Sequence, residues 1–379
     1  MSTSIPTPIP TSAPTPTQTI AIAGAGLLGR LLAWHLLKLG HPIVLFEAGA
    51  MDPSPAAART AAGMISPLTE AVESNRTIYE MGLVSLALWP QWLQQLQDDC
   101  GEIVDFKKNG SLIVAHSQDH SELLQFQKNL LHTIGNEGEY IWQNQEDIQA
   151  LEPDISHHFQ QGLLLANEAH IDNRKLLKVL LGEIERLGGD CREFCPVQVH
   201  PGKVISDTKT ESFDLVLDCR GLGAKHQWQG LRGIRGEVMG VQTKDIRLNR
   251  PVRLMHPRYT LYVVPKANHC FVIGATQIES EDRSPVTLQS SLELSSALYT
   301  LSPAFAEANI VDMGVNLRPG FMDNQPRITQ EDGLIRANGL FRHGFLLAPV
   351  LVSHVLALIG GGDLPFAEHL GLIHDNTRG

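Results

Sequence analysis

Cysteine, basic charge and long apolar runs are all scarce in this sequence of 379 residues. Its five cysteines are odd in number and lack repeated metal-like spacing, which argues against a disulfide framework or a zinc site and favours a reducing, cytoplasmic setting. Lysine and arginine number 30 against 41 aspartates and glutamates, for a net charge of -11. Because phosphate contacts need clustered basic side chains, nucleic acid is not expected as a partner.

One segment could be mistaken for a secretory signal and another for a membrane span, but neither has the required sequence pattern. Residues 1–17 are mainly Pro, Thr and Ser, without the basic start and apolar centre of a secretory signal, so we interpret them as a disordered tail. The stretch 345–359 is apolar but short, and Pro349, Ser353 and His354 interrupt it. It is predicted to form a buried helix, and no transmembrane segment is expected.

The first ordered segment has the pattern of a strand, a helix and a second strand. The sequence TIAIAG, which begins at Thr19, predicts a buried strand, and the apolar spacing after it predicts a helix from about 26 to 39. A second strand, 42–46, is predicted to lead directly into Glu47. This βαβ opening is typical of nucleotide-binding domains.

A glycine-rich motif connects the first strand to the helix. Glycines let the backbone approach a pyrophosphate closely, the helix N-terminus supplies oriented amides, and an acidic residue after the next strand can bind a ribose diol. The motif therefore predicts a dinucleotide site, although these residues alone do not distinguish FAD from NAD. Its members are Gly24, Gly26, Leu27, Leu28 and Gly29, with Glu47 as the acidic residue.

The rest of the chain has mixed helical and strand patterns. Alternating runs between 236 and 311 predict antiparallel strands, including a hairpin that turns at 266–269. Pro349 near the first turn and glycines at 360–362 frame a C-terminal helix of about three turns. Further helices are predicted over 75–98, 119–133 and 173–187, and further strands over 103–106, 111–115 and 213–219.

The segment that follows Glu47 resembles the flavin-contacting segment of the D-amino-acid oxidase and glycine oxidase family. It consists of Arg59, Thr60, Ala61, Ala62, Gly63, Met64, Ile65, Ser66 and Pro67. The resemblance covers nearly everything after residue 18 and is most similar to the glycine oxidases of thiamine biosynthesis. It continues through 196–197, 219–223, 262–265, 273–276, 316–320 and 341–349.

The resemblance implies FAD as the cofactor. The flavin is expected to be held without a covalent bond, since no cysteine follows Cys270. Amides at the entrance of the C-terminal helix are implied to stabilise negative charge near flavin N1 and the C2 oxygen. Besides the glycine motif and Glu47, the implied cofactor contacts are Arg59, Thr60, Ala61, Ala62, Gly63, Met64, Val197, Cys219, Gly221, His343, Gly344, Phe345, Leu346 and Leu347.

Three residues are implied to act on the substrate. Arg318 matches the carboxylate-binding arginine of the family, and a planar guanidinium suits a carboxylate because it donates two parallel hydrogen bonds. Tyr262 would add a phenol hydrogen bond to the same carboxylate. Arg342 matches another active-site position, and a structural ion pair with a local acid is the alternative role. Two departures leave the substrate open, because Gln277 and Thr260 stand where close glycine oxidases carry Met and His.

The implied fold class is α/β, or α+β overall, with a Rossmann-like FAD-binding domain interleaved with a mostly antiparallel substrate domain. The FAD-binding domain is assigned to 18–92, 164–229 and 316–379. The substrate domain is assigned to 93–163 and 230–315. We expect the site at the interface of the two domains, and we expect no metal in it.

The implied function is FAD-dependent oxidative deamination of a small amino acid such as glycine, sarcosine or a small D-amino acid. Molecular oxygen would be the electron acceptor and hydrogen peroxide a product. Three alternatives stay open: a D-amino-acid dehydrogenase that uses another acceptor, an NAD-dependent reductase, and a flavin-binding protein without catalysis. The resemblance also raises the expectation of a homo-oligomer.

Overall fold

The computed structural model describes residues 16–135, 140–256 and 259–372, and it leaves out the side chains of His256, Tyr259 and Thr260. Most of the predicted disordered tail, residues 1–15, and the side chain of Thr260 therefore lie outside the described residues. Two large sheets, described below by their strands, dominate the described residues.

The described residues form both helices and strands, in mixed order along the chain. The helices are α1 (Leu27–Lys38), α2 (Ala57–Thr60), α3 (Pro67–Glu73), α4 (Arg76–Cys100), α5 (His120–Ile134), α6 (Gln145–Leu151), α7 (Asn173–Arg186), α8 (Leu288–Leu301) and α9 (Gly344–Gly360). The strands are β1 (Ile20–Ala23), β2 (Ile43–Phe46), β3 (Met64–Ile65), β4 (Phe106–Lys107), β5 (Ser111–Ala115), β6 (Tyr140–Asn144), β7 (Gln161–Leu165), β8 (Ala169–Ile171), β9 (Asp190–Arg192), β10 (Val197–His200), β11 (Lys203–Ser206), β12 (Thr210–Ser212), β13 (Leu215–Asp218), β14 (Arg232–Gln242), β15 (Val252–His256), β16 (Tyr259–Pro265), β17 (Cys270–Gly274), β18 (Asn309–Gly320), β19 (Arg327–Glu331) and β20 (Leu334–Asn338).

The first sheet is parallel except at one edge, with the strand order β19-β20-β13-β1-β2-β9. Its central strand, β1, is buried on both faces, as its continuous apolar sequence IAIA predicts. The strands β2 and β13 lie on either side of β1 and run parallel to it, while the edge strand β19 is antiparallel to β20. The predicted βαβ opening is confirmed in this sheet.

The second sheet is mostly antiparallel, with the order β18-β14-β17-β16-β15-β5-β7-β6. One pair, β15 with β5, is parallel. Alternate residues of β5 belong to different apolar clusters, since Leu112 and Val114 pack in one and Ile113 and Ala115 in another. Both faces of β5 are therefore covered. Of the range 236–311, the predicted antiparallel strands are confirmed in β14, β16 and β17, whereas 288–301 forms helix α8.

Helix α9 differs from its predicted extent. It spans 17 residues from Gly344, so Pro349 lies in its interior rather than in its first turn. A proline cannot donate a hydrogen bond to the carbonyl four residues before it, here that of Phe345. The indole Nε1 of Trp89 donates to that carbonyl at 2.8 Å, and this contact from α4 lets the helix begin earlier than the sequence indicates.

Other boundaries differ only in part. The strand predicted over 103–106 is reduced to β4, and Ile103 is 66% exposed, so it lacks the burial that would hold it in a sheet. The predicted domain limits stay a prediction, and the strands β7 and β18 cross two of them. Within the described ranges, no helix is long and apolar enough to cross a membrane.

Candidate active site

A cavity of about 1310 Å³ lies between the carboxyl ends of the parallel strands and the antiparallel sheet. Its volume exceeds the roughly 300 to 1,000 Å³ that is usual for drug-sized ligands, so it has room for a dinucleotide together with a small substrate. Its wall contains most of the residues selected from the sequence. They are Gly24, Gly26, Leu27, Leu28, Glu47, Thr60, Ala61, Ala62, Gly63, Met64, Val197, Cys219, Gly221, Tyr262, Arg318, Arg342, His343, Gly344, Phe345 and Leu346.

Three of the selected residues do not line this cavity: Gly29, Arg59 and Leu347. Gly29 instead packs against the turn before the helix, where an added Cβ would lie 2.0 Å from the carbonyl oxygen of Gly24. Arg59 and Leu347 lie at the ends of segments whose neighbouring residues do reach the cavity. Their proposed contact with a cofactor stays a prediction.

Glycine is required for different physical reasons at the three glycine positions of the motif. Gly24 has a φ of +99°, and a Cβ there would lie 2.6 Å from the carbonyl oxygen of Cys219. The protein itself therefore requires glycine at positions 24 and 29. At Gly26, by contrast, the nearest contact of an added Cβ is an ordinary 3.6 Å to Ala56, and the open side faces the cavity. The space at Gly26 suits a pyrophosphate, which needs close approach to the backbone.

The end of the cavity near the glycine motif also suits a nucleotide. The Glu47 carboxylate accepts hydrogen bonds from the amides of Ala25 at 2.8 Å and Gly49 at 3.2 Å, which fix it at the end of β2. An acidic side chain held there can accept hydrogen bonds from ribose hydroxyls. Val197 begins β10 on the same wall, and its carbonyl accepts a hydrogen bond from Arg220 at 2.7 Å.

The segment 55–64 is held in place by side chains from three distant parts of the chain. Asn173 donates to the carbonyls of Ala58, Arg59 and Ala61. Asn316 donates to the carbonyl of Pro55 and to the Thr60 hydroxyl, and the Lys266 ammonium donates to the carbonyl of Ala62. Burial lowers the pKa of Lys266 to about 8. None of the three was selected as a site residue from the sequence, although Asn316 lies in the segment 316–320 that carries the family resemblance.

The N-terminus of α9 faces the cavity through Gly344, Phe345 and Leu346. The first backbone amides of a helix lack partners within the helix, and they form its positive end. Helix α4 holds this end from behind, because Trp89 binds the Phe345 carbonyl and a Cβ at Gly82 would meet Leu346 at 2.8 Å. The first turn therefore suits the electron-rich edge of a flavin.

Arg318 is a largely buried arginine on β18. Its Nη1 donates to the backbone carbonyls of Thr276 at 3.1 Å and Arg235 at 3.3 Å. Among the described residues no carboxylate lies within ion-pair distance of it. Its guanidinium rests on Gly236, where a Cβ would lie 2.4 Å from Cζ. Burial lowers the pKa of Arg318, and a carboxylate ligand would supply the missing countercharge.

Tyr262 stands in the middle of the antiparallel sheet, opposite Arg253 on β15 and Gly274 on β17. A Cβ at Gly274 would lie 3.3 Å from the Tyr262 hydroxyl, so the glycine leaves room for the phenol. Burial raises the pKa of Tyr262, which keeps the hydroxyl protonated and able to donate. Tyr262 and Arg318 both line the cavity, where the family resemblance would place them.

Arg342 is paired with two acidic residues of α3. Its Nε and Nη2 donate to one oxygen of Glu70 at 3.0 and 2.7 Å, and its Nη1 pairs with Glu73. Burial opposes ionisation of Glu70, but His343 and Arg342 outweigh it and hold the pKa of Glu70 below its usual range. Glu73 also pairs with Arg253. The structure therefore shows Arg342 in a local ion pair, which is the alternative role considered for it above.

Sequence inspection missed several residues of this wall, among them Glu70, Glu73 and Arg253. Arg253 carried a signal that could have been used, since it is a charged residue within the alternating strand sequence VRLMH. Glu70 and Glu73 follow the flavin-contact motif within one short helix. Gln277, one of the two departures from glycine oxidases, lines the cavity as well. In the described parts of the chain, no cluster of His, Cys, Asp and Glu could hold a metal ion.

Comparison with known proteins adds a family. The family described as FAD dependent oxidoreductase (DAO) matches residues 19–357. A Rhizobium etli protein named thiamine biosynthesis oxidoreductase ThiO is 36% identical over 337 residues, which are 89% of this chain and 94% of that protein. Glycine oxidase from Bacillus licheniformis is 25% identical over 361 residues, 92% of this chain and 94% of the relative.

Solved structures share the fold. A glycine oxidase from Geobacillus kaustophilus superimposes with a TM-score of 0.80 at 22% identity, over 93% of this chain and 98% of that one. An iminodiacetate oxidase from Chelativorans reaches 0.78 at 18% identity, over 92% of this chain and 98% of that one.

Proposed function

The chain belongs to the family of FAD dependent oxidoreductases, with FAD as its cofactor, and we propose that it oxidatively deaminates a small amino acid. Glycine, sarcosine or a small D-amino acid would give a 2-oxo acid, and the nitrogen would leave as ammonia or a small amine. Molecular oxygen would take the electrons and form hydrogen peroxide. The relatives named glycine oxidase, and the one named for thiamine biosynthesis, support this substrate class.

One observation carries the proposal: Arg318 presents a largely buried guanidinium to the cavity, and no acid of the described chain pairs with it. A buried cation without a countercharge is costly, so an anionic ligand is expected there. A planar guanidinium binds a carboxylate through two parallel hydrogen bonds, which fix its orientation as well as its position. An α-amino acid supplies that carboxylate one bond from the carbon to be oxidised.

The protein's own residues position the substrate and exclude water. Arg318 would hold the carboxylate, and the protonated Tyr262 hydroxyl would donate to the same group. When bound, FAD supplies the acceptor for the hydrogen and electrons of the α-carbon. The first turn of α9 and the segment 60–64 would hold the flavin, and the glycine motif and Glu47 its nucleotide part.

The direct test is anaerobic mixing of the yellow holoenzyme with glycine, sarcosine and D-alanine. We expect bleaching of the flavin absorbance by at least one of them. Admission of air should restore the colour and release one hydrogen peroxide per flavin. A flavin that stays oxidised with every amine would contradict the proposal, and bleaching that only a dye or quinone reverses would replace oxygen with another acceptor.

Arg318 provides the matching variant test. Arg318→Ala should keep FAD but lower kcat/KM for the best amino acid by on the order of a hundredfold, because a charge-assisted contact in a desolvated site is worth about 2 to 5 kcal/mol. Arg318→Lys should recover only part, since an ammonium lacks the two parallel donors. Ethylamine, which has no carboxylate, and the exposed Arg247→Ala are the controls. Wild-type efficiency in Arg318→Ala would show that Arg318 does not bind substrate.

We also propose that the enzyme works in the cytoplasm as a homo-oligomer. All five cysteines are unpaired thiols, which suits a reducing compartment. Size-exclusion chromatography with light scattering would measure the oligomeric state.

A further inference from the structure

We propose that Glu73 is a specificity-determining residue that excludes amino acids with a second carboxylate. This inference rests on the proposed function, because it concerns which amino acid the same cavity accepts. The group at its centre is an ion-pair chain made of Glu70, Arg342, Glu73 and Arg253, and all four side chains line the cavity with Arg318 and Tyr262.

The charges in this wall would otherwise favour a dicarboxylate. Three of the arginines that line the cavity lie near Tyr262, at 253, 318 and 342, and guanidinium groups are the usual partners of carboxylates. The substrate's α-carboxylate needs only one of them, Arg318. Without Glu70 and Glu73, two further cations would face the substrate's side chain, and an acidic side chain would find a partner.

Glu73 forms ion pairs with both Arg253 and Arg342. One carboxylate oxygen pairs with Nη2 of Arg253 and the other with Nη1 of Arg342, so the group stands where a second substrate carboxylate would bind. Glu70 takes the remaining donors of Arg342 at Nε and Nη2. A second carboxylate on the substrate would therefore meet the negative charge of Glu73 instead of a free guanidinium, which is an effective way to reject it.

Removal of Glu73 would free hydrogen-bond donors of Arg253. It is 7% exposed, and its Nε has no hydrogen-bond partner in the described structure. Nε and Nη2 lie on one edge of a guanidinium and together form a bidentate carboxylate site. Glu73 uses only Nη2, so its loss would open the whole edge. Glu73 itself is partly exposed at the end of α3, with 26% of its side chain accessible, so its substitution removes little buried packing, and thermal unfolding would measure the cost of leaving Arg253 unpaired.

The test compares D-aspartate with its neutral isostere D-asparagine. In Glu73→Gln and Glu73→Ala we expect the ratio of the two kcat/KM values to rise at least tenfold in favour of D-aspartate over the wild type. The double variant Glu73→Gln with Arg253→Met should lose that gain. Glu80→Gln, a partly exposed glutamate on α4, should leave the ratio unchanged. An unchanged ratio in both Glu73 variants, or a wild type that already prefers D-aspartate, would overturn the inference.

A binding measurement separates this inference from the proposed function. Titration calorimetry of the holoenzyme with succinate and with propionate reports dicarboxylate binding without turnover. Succinate should gain at least tenfold in affinity relative to propionate in Glu73→Gln. If no amine reduces the flavin yet succinate gains this affinity, the proposed reaction fails and the role of Glu73 stands. If glycine reduces the flavin and succinate gains nothing, only the role of Glu73 fails.

Discussion

At the level of single residues, the position of Arg318 depends on a glycine of the neighbouring strand. Gly236 lies on β14, beside β18, and the Arg318 guanidinium occupies the space that a side chain at 236 would need. The contact distance of 2.4 Å for an added Cβ is too short to be absorbed without moving the guanidinium. Glycine at 236 is thus needed for the position of Arg318 in the proposed carboxylate site.

Gly236→Ala should therefore raise KM for the amino acid at least tenfold, while FAD stays bound. A displacement of about 1 Å in a positioning group can cost about a hundredfold in rate, so kcat should fall as well. Gly182→Ala in α7, where an added Cβ meets nothing within 4 Å, is the control. Steady-state kinetics and the flavin content of the purified variants measure both effects. Unchanged kinetics in Gly236→Ala would show that the Arg318 guanidinium does not depend on glycine at 236 for its position.

At the level of elements, the junction of β1 and α1 separates glycines that the fold needs from a glycine that the ligand needs. Gly24 and Gly29 are confined by their own backbone surroundings, since an added Cβ would meet carbonyl oxygens at 2.6 and 2.0 Å. Gly26 is not confined in this way. The glycine motif thus combines two kinds of constraint. The short distances at Gly24 and Gly29 show a structural constraint, and the longer distance at Gly26 leaves space for the cofactor.

Gly26→Ala and Gly29→Ala should consequently fail in different ways. Gly26→Ala should keep the thermal stability of the apoprotein and lose at least tenfold in FAD affinity, because its Cβ would enter the pyrophosphate space. Gly29→Ala should lower the stability of the apoprotein itself, through the clash between helix and turn. Thermal unfolding of both apoproteins and flavin titration provide the comparison. Equal loss of apoprotein stability in both variants would contradict this division.

At the level of the whole molecule, buried Glu168 ties three separate segments together. Its carboxylate accepts a hydrogen bond from the Thr69 amide in α3 at 2.8 Å and another from the Ser111 hydroxyl in β5. Burial raises the pKa of Glu168 to about 7, with only partial compensation from these hydrogen bonds. Between about pH 4.5 and 7, the folded state therefore keeps on Glu168 a proton that the unfolded chain releases.

The stability of the wild type should fall as pH rises from about 4.5 to 7, by up to about 3 kcal/mol from this group alone, because the folded state binds the proton more tightly than the unfolded state in that window. Glu168→Gln keeps an acceptor oxygen without the titration, so it should flatten that dependence. Urea unfolding at pH 5 and pH 8 would measure it, with the exposed Glu307→Gln as control. The same pH dependence in Glu168→Gln and the wild type would assign it to other groups.

The sequence by itself determined those features whose parts are close along the chain. The strand, glycine turn, helix and following acid form one continuous segment, so the spacing predicts both the βαβ unit and the nucleotide end of the cavity. The alternating runs between 236 and 311 likewise predict antiparallel strands, because the period of two is a local property. Arg318 and Tyr262 followed from resemblance to a family, and the structure brings both to one cavity.

Only the tertiary structure decided which distant side chains meet. Glu73 is more than a hundred residues from Arg253 and Arg342, and no local pattern states that one carboxylate lies between the two guanidinium groups. The same holds for Trp89, which lets α9 continue through Pro349, and for Lys266, which holds the segment at Ala62. Such contacts depend on how strands and helices pack against one another. Packing depends on the whole chain, because burial and ion pairing must be satisfied for many residues at the same time.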